Sequence, residues 1–128
     1  MEIIFSVGVI SLVIVGVVSL VVNVIGAKNS SLRRKKAAEL GETVIEDLLN
    51  QKKSNPDQFW HLASIGETTL AGFDGYFYSI GYTEVNDVSG CQKESSSSTA
   101  RCANAVVNII WDSGENNLSI TRFFSRTI

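Results

Sequence analysis

Few side chains in this sequence are of a type and spacing that could do chemistry. Cys91 and Cys102 bracket a polar loop that contains four serines, residues 95–98, beside a strand-like run. Two cysteines so placed either close a disulfide, if the compartment is oxidising, or remain two thiols. A closed loop of about a dozen residues would contribute on the order of 3 kcal/mol by the chain-entropy estimate. A zinc site is disfavoured, because the single histidine, His61, is distant and cannot complete a four-ligand set. Flanked by Trp60 and Leu62, His61 reads as a partly buried packing residue, not a general base. The serines lack a G-x-S-x-G setting, and Gly72-Phe73-Asp74-Gly75 lacks any phosphate-loop pattern. Asp112, Glu115, Asn116 and Asn117 are suited to a hard cation, but the chemistry of a hairpin turn accounts for them as well. Asn29-Ser30-Ser31 and Asn117-Leu118-Ser119 match the short glycosylation sequon. The expectation is no catalytic residue, no metal, no cofactor and no enzyme.

One carboxylate is left, Glu2, ahead of residues 3–25, a run with no charged side chain. As a helix the run would be about 34 Å long, enough to cross a hydrocarbon layer. It is too long for a secretory h-region and has no basic stretch before it. Valine and isoleucine dominate, which lipid tolerates because a helix satisfies its own backbone. Gly8 and Gly16 fall near one face, with Ser19 close by, and small residues there either admit a neighbouring helix or reflect ordinary membrane-helix glycine usage. Glu2 is favoured by the dipole at a helix N-terminus.

The charges are unevenly placed around a net −2. Residues 28–53 carry seven Lys/Arg against four acids, and residues 54–128 carry four against eight. A mildly acidic C-terminal part argues against a nucleic-acid reader, which needs clustered cations. The collar of Lys28, Arg33, Arg34, Lys35 and Lys36 suits anionic lipid headgroups. Taken at face value, the collar places the C-terminal part of the chain in the cytoplasm; a basic segment upstream of Met1 would reverse that.

From Leu32 to Leu49 the pattern becomes two-faced: Ala37, Leu40, Gly41, Val44, Ile45 and Leu48 on one side, Lys35, Lys36, Glu39, Glu42, Glu46 and Asp47 on the other, with Arg33 and Arg34 as exceptions. Gly26 and Asn29-Ser30-Ser31 are points where the join to the apolar run could flex. The helix should end near residues 52–54, because Pro56 biases Asn55 away from helix. Its apolar face needs a cover, which the remaining chain supplies as a sheet. Residues 73–83 alternate Tyr76, Tyr78, Ile80 and Tyr82, with Gly75 and Gly81 suggesting a bend or bulge. The aromatics of that run, Phe77 included, suit a core first, and a subunit interface or ligand face second. Residues 101–112 give the strongest strand, with Ala103, Ala105, Val107, Ile109 and Trp111 on one face and Asn104 and Asn108 on the other. A polar turn at 112–117 returns the chain through residues 118–125. Residues 58–70 suit a short helix or an extended segment, anchored by Phe59 and Trp60. The expected fold is α+β: a long N-terminal helix on a small antiparallel sheet of three or four strands. Its parts are residues 1–27 (membrane or filament-core half of the helix), 28–54 (amphipathic half) and 55–128 (β domain).

An opening EIIFSVGVISLVIVGVVSL, a helix continuing RRKKAAELGETVIEDLLNQKKSNPDQFW, and a terminal VVNIIWDSG–NLSITRFFSRT hairpin together resemble the minor type IV pilins and pseudopilins with a prepilin-type methylation segment. Within that group, residues 37–46 are similar to helices of the pattern A-x-x-L-A-x-x-x-I-E. The resemblance spans nearly the whole chain and is strongest over residues 2–60. It implies a structural subunit of a type IV pilus or type II secretion-like filament, anchored in the inner membrane with its head external before assembly. It also implies partners: other subunits through the N-terminal helix, the inner-membrane assembly machinery, membrane lipid, and a prepilin peptidase acting on a short basic leader. Glu2 aligns with the family glutamate that pairs with a neighbour's terminal amine. Only Met1 precedes Glu2 here, and the expectation is a leader missing from the start. The competing expectation is a single-pass membrane protein with a small cytoplasmic interaction domain.

Overall fold

A computed structural model describes residues 2–92 and 100–126, with side chains from Val7 onward. The elements run α1 (Glu2–Ser54), α2 (Pro56–Phe59), β1 (Ile65–Thr68), β2 (Tyr76–Glu84), β3 (Cys102–Trp111) and β4 (Asn116–Ser125), with a one-turn 3-10 helix at Asp112–Gly114. The fold is α+β, and the four strands form an antiparallel meander in the order β1-β2-β3-β4. The chain divides into two compact units, Met1–Lys35 and Lys36–Ile128. α1 is helical through Gly26 and residues 29–31, so neither interrupts it, and it ends at Ser54, just ahead of Pro56 as the sequence requires.

In the second unit α1 buries Ala37, Leu40, Gly41, Val44 and Leu48, with Ile45 half-buried, while Glu39, Glu42, Glu46 and Asp47 are exposed. The 3.6-residue period thus delivers one apolar stripe, and the inner face of the sheet covers it. Ala103, Ala105, Val107 and Ile109 of β3 are all 0% exposed. The β2–β3 register is unbroken from Tyr76↔Trp111 to Glu84↔Ala103, so Tyr78, Ile80 and Tyr82 stand opposite Ile109, Val107 and Ala105 on the same face. The β3–β4 register carries the rows on to Leu118, Ile120 and Phe124. Of the β2 aromatics, Tyr76 is buried and Tyr78 and Tyr82 are half-buried, whereas Phe77 points to the other face and is exposed.

Gly41 sets how closely helix and sheet approach. A Cβ there would lie 2.9 Å from Ile109 Cδ1 and closer still to Ile120 Cδ1. Both are side-chain tips, and half-buried Ile120 has room to turn aside. Gly41→Ala is therefore expected to be nearly neutral, since it recovers up to about 1 kcal/mol of helix propensity. Gly41→Leu should instead cost about 1–3 kcal/mol by overpacking. Urea midpoints of the two variants check this, and equal midpoints would show that the sheet does not sit tightly over Gly41.

Two expectations are corrected, and a third, left open between two forms, is resolved. Gly81 makes no bulge: it pairs in register with Val106 because Ile80 and Tyr82 on either side hold the strand to the inner face. The irregularity lies instead in β1, between Ile65 and Thr68, and Gly75 (φ 80°) turns the chain just before β2. His61 is exposed, not packed. Trp60 ends α2 in helical geometry and Leu62 then adopts φ 50°, so Trp60 and Leu62 turn inward and His61 is left outside. Residues 58–70 hold both expected forms in succession: Pro56 occupies the first turn of α2, where it needs no N–H, and β1 comes after it.

Candidate functional site

Within the first unit, every described large apolar side chain of residues 7–25 is exposed, from 48% at Val9 to 75% at Leu12. Among the described residues, α1 is the helix long and apolar enough to cross a membrane, judged by length and composition. On this surface Ser11 Oγ donates to the Val7 carbonyl at 2.8 Å. That back-bond removes a donor that hydrocarbon could not satisfy. A Cβ on Gly8 or Gly16 would meet nothing within 4 Å. These positions are shallow places on a largely apolar surface, suited to close approach by a second helix. Glu2 is the first residue of α1, but its side chain lies outside the described residues.

Lys28, Arg33, Arg34 and Lys35 are exposed on α1. Lys36, the last of the collar, belongs to the second unit, where its Nζ stands 5.8 Å from the Phe73 ring centroid and 5.7 Å from that of Tyr76. The sequence gives no sign of this cation–π pairing, because the rings arrive from the turn before β2 (Phe73) and from the first residue of β2 (Tyr76). Lys52 is engaged likewise, 5.8 Å from the Trp60 centroid and 5.9 Å from that of Phe124. Its Nζ also donates to the Ser125 carbonyl at 2.6 Å, tying the end of α1 to the end of β4.

The structure places Ala37, Leu40, Val44 and Leu48 under the sheet, so this half of the helix face is already occupied within the chain. Cys91 and Cys102 form a disulfide with a Cα–Cα separation of 5.2 Å, and both are buried. The bond pins the segment after β2 to the first residue of β3. The serine run 95–98 between them lies outside the described residues. At the hairpin tip Asp112, Ser113 and Gly114 all take positive φ, and Asn116 Nδ2 donates to Asp112 Oδ2 at 3.0 Å. The Asp112 and Asn116 side chains thus serve the turn.

Sequence reading also misses a cleft of about 430 Å³ bordered by Gln51, Asn55, Gln58, Phe59, Ser64 and Tyr82. Partial burial of Tyr82 raises the pKa of its hydroxyl above the ordinary 10.0. No local pattern marks these residues, which come from α1, α2, the loop before β1, and β2. Comparison of the chain with family models, with curated proteins and with solved structures finds no match.

Proposed function

We propose that this chain is a structural subunit, of the minor pilin or pseudopilin kind, in a type IV pilus or type II secretion-like filament. The observation that carries the proposal is the unbroken exposure of large apolar side chains over residues 7–25. Such a surface is unstable in water, at about 25 cal/mol per Å² of apolar area left uncovered. Lipid covers it before assembly, and the helices of neighbouring subunits cover it afterwards. Gly8 and Gly16 admit those helices, and the collar meets anionic headgroups while the subunit waits in the inner membrane. The sheet-bearing unit is then external, where the Cys91–Cys102 bond is stable to the surroundings. The subunit's partners are its neighbours, the assembly machinery of the inner membrane, and a prepilin peptidase.

Glu2 carries the test. A carboxylate inside an apolar bundle needs a cation, and a neighbour's terminal amine supplies one. Glu2→Ala is expected to leave the second unit folded and the Cys91–Cys102 bond intact, yet to cut incorporation into filaments severely. Recovery of this variant in sheared filaments at the wild-type level would sink the proposal.

The alternative is a single-pass membrane protein with a cytoplasmic interaction domain, which the basic collar favours by the positive-inside rule. It requires reduced cysteines in the cell. Thiol labelling of intact cells, resolved with and without reductant, separates the two: a Cys91–Cys102 pair that labels without reductant supports the cytoplasmic alternative.

A further inference from the structure

The cleft of about 430 Å³ in the second unit lies where the end of α1, α2 and the β1–β2 pair meet. Its volume falls within the roughly 300–1,000 Å³ of small-molecule sites. Among the described residues, no charged one lines it. The lining is instead carboxamide, hydroxyl and aromatic, with the aliphatic Ala63 and Ile65 beside them, a set that suits a neutral ligand and gives no counter-ion to an anion or a cation.

Two details bear on the nature of that ligand. Asn55 is the N-cap of α2, where an asparagine usually turns its side-chain oxygen onto the first-turn N–H groups. It makes no such bond, so its carboxamide is not committed to the helix that it precedes. The aromatic wall, by contrast, is fixed. Phe59 is 6% exposed and meets Tyr82, Trp60 and Phe124 edge-on, at centroid distances of 6.2, 5.3 and 5.2 Å. A rigid apolar wall beside adaptable amides is the division of labour of a preformed small-molecule site.

We propose that this cleft binds one ring of a neutral saccharide, with the Asn55 and Gln58 carboxamides and the Ser64 hydroxyl meeting the sugar hydroxyls. The half-buried Tyr82 ring, held from behind by Phe59, faces the sugar's apolar C–H side, and the Tyr82 hydroxyl adds a further donor. Every sugar hydroxyl both donates and accepts, and a carboxamide offers one of each side by side. A peptide fits less well, because an extended backbone seeks a strand edge and β1, with four residues and an irregular register, offers a poor one. The site lies wholly within the second unit and does not depend on filament assembly.

The test uses the full chain in phosphatidylcholine nanodiscs, free of detergents with sugar headgroups. Saturation-transfer NMR is recorded with N-acetylglucosamine, glucose and galactose as probes and a neutral tetrapeptide as the contrast. At least one sugar should receive saturation, with a Kd of about 1 mM and a weakening of about tenfold or more in Asn55→Ala/Gln58→Ala. Ser64→Trp, which fills the cleft from an exposed loop position, should abolish the signal. Circular dichroism verifies that these surface variants stay folded. The proposal is overturned by silence from all three sugars, by sugar binding that both variants leave unchanged, or by saturation of the tetrapeptide alone.

Discussion

Trp60→Ala is expected to destabilise the second unit by about 3–5 kcal/mol, the usual cost of truncating a buried tryptophan. Trp60 is 2% exposed and is among the largest fully buried side chains. It stands edge-on to Phe59 at 5.3 Å, with Lys52 Nζ 5.8 Å from its ring, so its removal opens a void and takes away the platform on which Lys52 rests. Lys52 in turn holds the Ser125 carbonyl. A domain of this size has about 5–15 kcal/mol of stability in all, so the loss is a large share of it and the urea midpoint should fall markedly. Trp111 remains as the fluorescent reporter for a urea titration. Trp60→Phe keeps an aromatic ring in the site and should lose distinctly less. A Trp60→Ala midpoint within error of wild type would mean that the corner between α1, α2 and β4 is not held through this ring.

Removing the disulfide is the second large effect. Cys91→Ala/Cys102→Ala should cost about 3 kcal/mol, because the unfolded chain regains the freedom of the closed loop. The residues are separated by 11 positions and are 4% and 3% exposed, so alanine avoids burying a hydroxyl as serine would. The loss should also appear locally. The Val85 amide donates to the Cys102 carbonyl and the Cys91 amide to the Val88 carbonyl, and both should exchange faster in the variant. A reductant should lower the wild-type urea midpoint and leave that of the variant alone. A wild-type midpoint indifferent to reductant would show that the bond is absent or contributes nothing.

The helix face and β3 are legible in the sequence because their periods are clean. Ala37, Leu40, Val44 and Leu48 repeat at helical spacing, and Ala103 to Trp111 alternate with Asn104 and Asn108. Both patterns arise from burial on one side, and both stripes are buried in the fold. β1 has no such signature: its four residues are exposed or half-buried and lie at the sheet margin with an irregular register. Ile65–Thr68 is a strand because β2 supplies a partner, which its own composition does not announce. His61 is misread from the sequence because its apolar neighbours in the chain are not its surroundings in space: the backbone turn at Leu62 separates them. Of the candidate sites, the apolar surface over residues 7–25 follows from composition. The cleft does not, since it exists only once β2 has been laid beside the end of α1.

The sheet has two margins, and they are unlike. One is β1, too short and too irregular to template another strand. The other is β4, Asn116–Ser125, ten residues long, and it would be an inviting template. Its Arg122 stands opposite Ala105, on the face that the sheet turns toward its own core, and is exposed there. A charge on that side at a margin must be stripped of water before a further strand can dock flush, which opposes runaway lateral pairing. On the proposed reading, in which the N-terminal helix is the assembling surface, the sheet is thereby kept from starting a second, amyloid-like kind of fibre.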